Sequence, residues 1–492
     1  MKKALVILFL LMNHAILANY CWESKANVGF TNRYAAMGFE LNGKGYVGCG
    51  YNSGGKNDFW EYDPIANTWT QKANYIGGNA WAGIGFSIGS KGYMGLGTLG
   101  SSWPAAIYEY NPSNNTWATK ASLPNGVQDC YGFSIDNYGY VVCGWRPGNY
   151  SNLLYRFDPI ANIWVSKASF PGTPRDGIRG FTIGSDAYAG TGNNSGTTFS
   201  DFYKYNSISN TWTSIPNVPG NSRHSAIGFQ MNNKGFFGAG SNASNTTSYT
   251  DIYEYSTTNN AWSAITAFPG NNISYSVTFN IGNNGYVATG RKVSVGQNYN
   301  ETWKLTETPT ANFQIDSINC QNTAYLNNLS SSTTSALWYF GDGSISNQIN
   351  PNHTYNAIGN YTVSLVVGSG NCKDSTTLPI TISNSFNTAF TALSNPCDLT
   401  ISTSNTSTGY NNFQWDWGDG TQSTGLNPSH TYNSLGTYQI FMIGSNGLCS
   451  DTSHYTITLN SNLNTTATIS NNCGGLLTVT SFSSNGTNIT WD

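Results

Sequence analysis

Residues 21–27 read Cys21-Trp22-Glu23-Ser24-Lys25-Ala26-Asn27, and the pattern returns as Thr68-Trp69-Thr70-Gln71-Lys72-Ala73-Asn74. Tryptophans stand at equivalent positions, Trp22, Trp69, Trp117, Trp164, Trp212 and Trp262, at intervals of 47, 48, 47, 48 and 50 residues. Such a period signals a propeller or another array of supersecondary units. A second marker agrees: Tyr46, Tyr93, Tyr140, Tyr188, Phe236 and Tyr286 each precede a glycine-ended run, as in Gly45-Tyr46-Val47-Gly48-Cys49-Gly50. Six units follow. The sixth reaches Glu301-Thr302-Trp303-Lys304 without a closing tryptophan strand, and the Trp22 segment supplies one. A strand returned from the N-terminus closes the ring and leaves no open sheet edge.

Within each unit a strand of small residues ends in Phe39, Phe86, Phe133, Phe181, Phe229 or Phe279, an Asn/Gly turn follows, then the tyrosine-to-glycine strand. After a variable loop, a third strand carries Tyr62, Tyr110, Phe157, Tyr205 or Tyr255, seven residues before the unit's tryptophan. Short strands at even spacing, with Pro64, Pro112 and Pro159 in the turns, describe four-stranded antiparallel blades. The order glycine doublet, tyrosine, tryptophan resembles the kelch repeat over residues 21 to about 305. It departs at the first glycine of the doublet, replaced by Cys49, Leu96, Cys143, Thr191, Ala239 and Thr289. The resemblance implies a six-bladed kelch-like β-propeller over residues 19–305, like the central domain of galactose oxidase.

Residues 306–312 are polar, hold Pro309 and lack periodicity, which places a linker there. A different repeat follows. Trp338-Tyr339-Phe340-Gly341-Asp342-Gly343 leads to His353-Thr354-Tyr355 and Gly359-Asn360-Tyr361; Trp415-Asp416-Trp417-Gly418-Asp419-Gly420 leads to His430-Thr431-Tyr432 and Gly436-Thr437-Tyr438. These motifs resemble those of the PKD-type immunoglobulin-like sandwich, which implies PKD-like domains over 313–384 and 385–461. Residues 462–492 repeat the start of that module and stop where a further Gly-Asp-Gly is due, so the chain is expected to be a piece of a longer product. The expected fold is all-β throughout.

Charged residues are 9% of the 492 and the formal net charge is −3, which argues against nucleic acid as a partner. Aromatic residues at 14% argue against disorder. Residues 1–18 open with Lys2-Lys3, continue in an apolar run too short to span a bilayer and end at Ala18, the pattern of a secretory signal. No other segment reads as membrane-inserted. Nine cysteines in an exported chain imply disulfides. Cys320–Cys372 and Cys397–Cys449 are both 52 residues apart, with Trp338 and Trp415 each 18 beyond the first cysteine, so these are the expected pairs. Cys130 and Cys143 lie symmetrically about the Asp136-Asn137 turn and are expected to face each other. Cys21 and Cys49 are left without an assigned pairing.

Arg33, Arg175 and Arg223 each lie six residues before the strand-ending phenylalanine, while the other units have Ala80, Val127 and Ile273 there. Three guanidiniums at a channel mouth would clamp a carboxylate, as in six-bladed sialic-acid-processing proteins. The same placement suits arginines that hydrogen-bond the backbone of neighbouring blades. Trp81, Asp129, Arg179 and His224 fall near the same connections and are candidate contacts to a sugar. With one histidine in the propeller, the two-histidine copper site of a radical oxidase has too few ligands, and no cofactor is expected. Asp342, Asp419, His353 and His430 recur at one spacing, which favours structural turns over ligands. The sequence thus points to a secreted or cell-surface binding protein whose propeller takes a glycan or extracellular protein, the PKD-like domains acting as spacers. An enzyme on a sialic-acid-like sugar and a structural matrix component are the alternatives.

Overall fold

The computed structural model describes residues 20–271, 273–319, 322–331, 335–370, 372–383, 386–394, 399–446, 449–460, 465–471 and 477–483. The expected signal segment lies outside them, as do Cys320 and Cys397. The described residues are strands, turns and one short 3-10 turn, Val293–Val295. Two compact units separate at Thr308/Pro309, with Ser369–Lys373 grouped in the first.

The first unit is a ring of six four-stranded antiparallel blades. Blade 1 is Met37–Leu41, Lys44–Gly48, Phe59–Asp63 and Thr68–Lys72, and blades 2 to 5 repeat this order along the chain. Blade 6 combines Val277–Ile281, Asn284–Lys292 and Gln297–Glu307 with Tyr20–Lys25, which pairs from Tyr20↔Glu307 to Lys25↔Thr302. The N-terminal strand therefore closes the ring.

The repeated residues are what joins the blades. Each blade's indole N–H reaches back to a carbonyl of the preceding connection: Trp69 to Ala26, Trp117 to Ala73, Trp164 to Ala121, Trp212 to Ala168 and Trp262 to Pro216, all at 2.8–3.0 Å, and Trp22 to Thr266 at 3.5 Å. Inside the blades the strand-ending phenylalanines stack across the hairpin on the tyrosine marker, from Phe39 on Tyr46 at 5.3 Å to Phe279 on Tyr286 at 5.4 Å. The six residues in place of the first doublet glycine all have left-handed backbone, with φ from 52° at Ala239 to 62° at Cys143. The conformation that glycine would adopt freely is thus kept at a steric cost of about 1–2 kcal/mol per residue.

Two disulfide expectations fail. Cys372 is bonded to Cys21, with Cα atoms 5.5 Å apart, and cannot also hold Cys320. The 52-residue spacing alone therefore does not fix a bond in the first sandwich. Cys130 and Cys143 are buried and free. A bulge between Val142 and Gly144 breaks the alternation, so Cys130 packs with Ile84 and Val141 while Cys143 packs with Phe133 and Ile178 in the next core. Cys49 is also free and buried. Cys449 is disulfide-bonded.

In the second unit, three-stranded and four-stranded sheets form each of two sandwiches. The first has Phe313–Ile318, Thr323–Asn328 and Asn352–Thr354 in one sheet and Ala336–Tyr339, Ile345–Ser346, Gly359–Ser369 and Cys372–Ile382 in the other. The second repeats this plan from Phe390 to Leu459, and a two-stranded hairpin, Thr465–Asn471 with Leu477–Ser483, follows. Trp338, Trp415 and Trp417 are buried at the centres. The recurring His-x-Tyr motif is structural: His353 and His430 bond Asp342 and Asp419 at 2.7 Å, and the Tyr355 and Tyr432 hydroxyls donate to Phe340 and Trp417 carbonyls.

Candidate site at the channel mouth

The connections into the six innermost strands meet at one end of the ring. Two residues past each arginine-equivalent position lie Ala35, Ala82, Asp129, Gly177, Ser225 and Tyr275, all left-handed with φ of 50–60°. Their amides form a cycle: Ala35 N–H donates to Tyr275, Ala82 to Ala35, Asp129 to Ala82, Gly177 to Asp129, Ser225 to Gly177 and Tyr275 to Ser225, at 2.8–3.1 Å. One hydrogen bond per blade closes the cycle around the axis. Five of the six residues carry a side chain in a conformation that suits glycine, a concentration of backbone strain typical of functional sites.

The arginine triplet does not reach this mouth. Arg33 is 3% exposed and Arg175 and Arg223 are fully buried. Each guanidinium binds a carboxylate with both terminal nitrogens: Arg33 with Asp58, Arg175 with Asp201 and Arg223 with Asp251, the Nη2 contacts measuring 3.2, 3.0 and 2.6 Å. The first terminal nitrogen also donates to the Cys49, Thr191 or Ala239 carbonyl. The aspartates sit just before the third strand of the same blade. Where the arginine is absent in blades 2 and 3, so is the acid: Ala80 and Val127 go with Ala106 and Leu153. Clamping a ligand carboxylate through Arg33, Arg175 and Arg223 is therefore overturned, because their donors are already engaged inside the blades.

Trp81, Asp129, Arg179 and His224 are brought together at the mouth. A pocket of about 350 Å³ is lined by Tyr34, Trp81, Gln128, Asp129, Tyr275 and Arg291, among others. Tyr34, Trp81 and Tyr275 form its aromatic part: Tyr34 contacts Tyr275 at 5.6 Å, Tyr51 behind them contacts Tyr34 at 5.6 Å and Trp81 edge-on at 4.9 Å, and the Arg291 guanidinium lies 5.0 Å over Tyr34. On the other wall Asp129 accepts from Gln128 Nε2 through Oδ2 at 3.2 Å, while its Oδ1 is buried with no hydrogen-bond partner.

Burial pushes the Asp129 carboxyl above its ordinary range against the pull of Arg179. Burial and the neighbouring Asp129 charge push Asp176 up to about 7. The two carboxyls thus disfavour joint ionisation. His224 is held neutral at physiological pH, its pKa pulled down to about 4 by burial and by Arg179, while Nε2 lies 3.1 Å from the Asn242 carbonyl. Arg179 uses Nη1 on the Ile178 and Cys130 carbonyls, at 2.8 and 3.4 Å, and its charge acts on Asp129, Asp176 and His224. No cluster of metal-ligating side chains occurs among the described residues.

Tyr34, Asp176, Tyr275 and Arg291 were not foreseen. Tyr34 and Asp176 directly follow two of the arginines singled out, so comparing the position after each arginine equivalent would have found them.

Residues 306–382 and 386–460 each match the family model of the PKD domain, so tandem PKD domains occupy this part of the chain. No curated protein matches the chain. Among solved structures, one described as "Structure of YjhT" is similar at 15% identity, covering 56% of this chain and 96% of that one with a TM-score of 0.49.

Proposed function

We propose that the chain is a secreted or cell-surface binding protein in which a kelch-type propeller takes a glycan at its channel mouth and the PKD domains act as spacers. The observation that carries this reading is Asp129, which lines the pocket and whose Oδ1 is a buried acceptor without a partner. An unsatisfied buried acceptor costs about 1–3 kcal/mol, which a ligand hydroxyl would relieve. The Trp81 ring, which lines the pocket, supplies stacking area for the apolar side of a sugar ring. The tandem PKD domains and the disulfide fit an extracellular protein, and no helix among the described residues is long and apolar enough to cross a membrane.

A second reading, catalysis on a carbohydrate, is favoured by one observation: Asp176, with its pKa raised to about 7, is suited to exchanging a proton near neutral pH. A glycan-array screen of the full chain, with Asp129→Asn and Trp81→Ala beside it, tests both. Binding that either variant loses while keeping its melting temperature supports the mouth site and calls for a turnover assay. A well-folded chain that binds no glycan leaves a protein partner or a structural role.

A further inference from the structure

Blade 3 lacks the unit that fills the space behind the connection in blades 4 and 5. In blade 4 that unit has three parts: Arg175, its carboxylate partner Asp201, and Phe199, whose ring lies 3.9 Å under the guanidinium. Strand register and backbone bonds identify the blade 3 counterparts. Leu154 pairs with Val142 as Phe202 pairs with Gly190, so Leu153 stands at the Asp201 position. Arg175 N–H donates to Ser151 as Arg223 N–H donates to Phe199, so Ser151 stands at the Phe199 position. Gly97 N–H donates to Val127 as Gly144 N–H donates to Arg175, which sets Val127 at the arginine position. A long cation, an acid and an aromatic ring are replaced by valine, leucine and serine.

All three replacements line one cavity of about 260 Å³. Leu123 and Val141, both buried, extend its apolar lining. Asn125 also lines it from the connection before the innermost strand, as does Arg146 from a hairpin that in this blade runs on to Arg146↔Asn149. Arg146 bonds Asn125 Oδ1 through Nη1 at 2.6 Å, and this is the guanidinium's one hydrogen bond among the described residues, so donors remain for an anion. A dry cavity of about 150 Å³ accepts benzene, so this volume takes an aromatic ring with a substituent.

We propose that the vacated arginine slot of blade 3 is a binding site for a small amphipathic anion, an aryl carboxylate or sulfonate, with its ring against Val127, Val141 and Leu153 and its anionic group on Arg146. The site is separate from the channel mouth and independent of the function proposed above.

The test titrates the full chain with 8-anilino-1-naphthalenesulfonate, followed by its fluorescence, beside Val127→Arg/Leu153→Asp. That variant rebuilds the pair which blades 1, 4 and 5 already accommodate. Val127→Phe, which fills the slot with an apolar ring, serves if the charged pair prevents folding. Saturable one-site binding to the parent, lost in the filled variants and weakened about tenfold by Arg146→Gln, is the expected result. Trp81→Ala at the mouth leaves it unchanged. Absence of saturable binding, or equal affinity in both filled variants, overturns the proposal.

Discussion

Replacing Arg175 by valine tests whether the buried arginines build the blades or serve a ligand. Arg175 is fully buried and donates from Nε to the Thr173 carbonyl at 2.7 Å, from Nη1 to Thr191 at 3.0 Å, and from both terminal nitrogens to Asp201. Arg175→Val removes all of these and leaves a carboxylate facing a packed interior. Breaking a buried pair from one side costs about 3–5 kcal/mol. The Asp201 side chain keeps 26% of its exposure and so retains some hydration, which favours the lower end. A loss of about 3 kcal/mol lowers the melting temperature of a domain this size by about 5 °C. Arg175→Val/Asp201→Leu converts the site to the Val127/Leu153 arrangement of blade 3 and is expected to recover at least half of that loss, since an apolar pair can replace a buried ion pair at little net cost. Differential scanning calorimetry of the parent, single and double variants reads both shifts. A single variant within about 1 °C of the parent, or a double variant less stable than the single, would falsify the structural assignment.

Two further outcomes follow. Trp22→Ala removes a buried indole set edge-on to Phe268 at 4.9 Å and to Phe229 at 6.2 Å, and is expected to cost about 3–5 kcal/mol; denaturant unfolding followed by intrinsic fluorescence measures it, and a loss under about 1 kcal/mol contradicts the closing role. Asp176 has a folded pKa of about 7 against an ordinary 3.8, so between these values the unfolded chain ionises first and stability falls as pH rises. Asp176→Asn should therefore be more stable than the parent above pH 7, with the difference vanishing towards pH 4; a pH-independent difference contradicts the burial of this carboxyl.

The propeller was legible because its strongest sequence signals are the groups that join the blades. A tryptophan every turn of the repeat bonds the previous connection, and each phenylalanine stacks on its own hairpin's tyrosine, so the period in sequence is the period in space. Tandem sandwiches were legible for the same reason, through motifs that hold His353 on Asp342 and His430 on Asp419. Pairings carried across variable loops were not. Asp58, Asp201 and Asp251 lie 25, 26 and 28 residues beyond their arginines, at no constant spacing, and only the strand register aligns them. The Cys320–Cys372 and Cys130–Cys143 expectations failed because spacing records chain distance, whereas a bulge at Cys143 and the position of Cys21 decide which thiols meet. The mouth was half visible: Trp81, Asp129, Arg179 and His224 stood out by residue type, whereas the amide cycle that gathers them is a backbone property.

The closing strand also sets a constraint in time. Tyr20–Lys25 pairs with Thr302–Glu307, so the segment made early waits for the last strand of the propeller. Contacts so distant along the chain are slow to form. During that wait the Gln297–Glu307 strand presents an unpaired edge, and the waiting strand carries the side chains that fit it. Any second copy nearby offers the same strand to the same edge, so slow closure and reciprocal strand exchange between chains compete for one set of hydrogen bonds. Dilution favours the monomer, and a high local concentration of chains favours the exchanged pair.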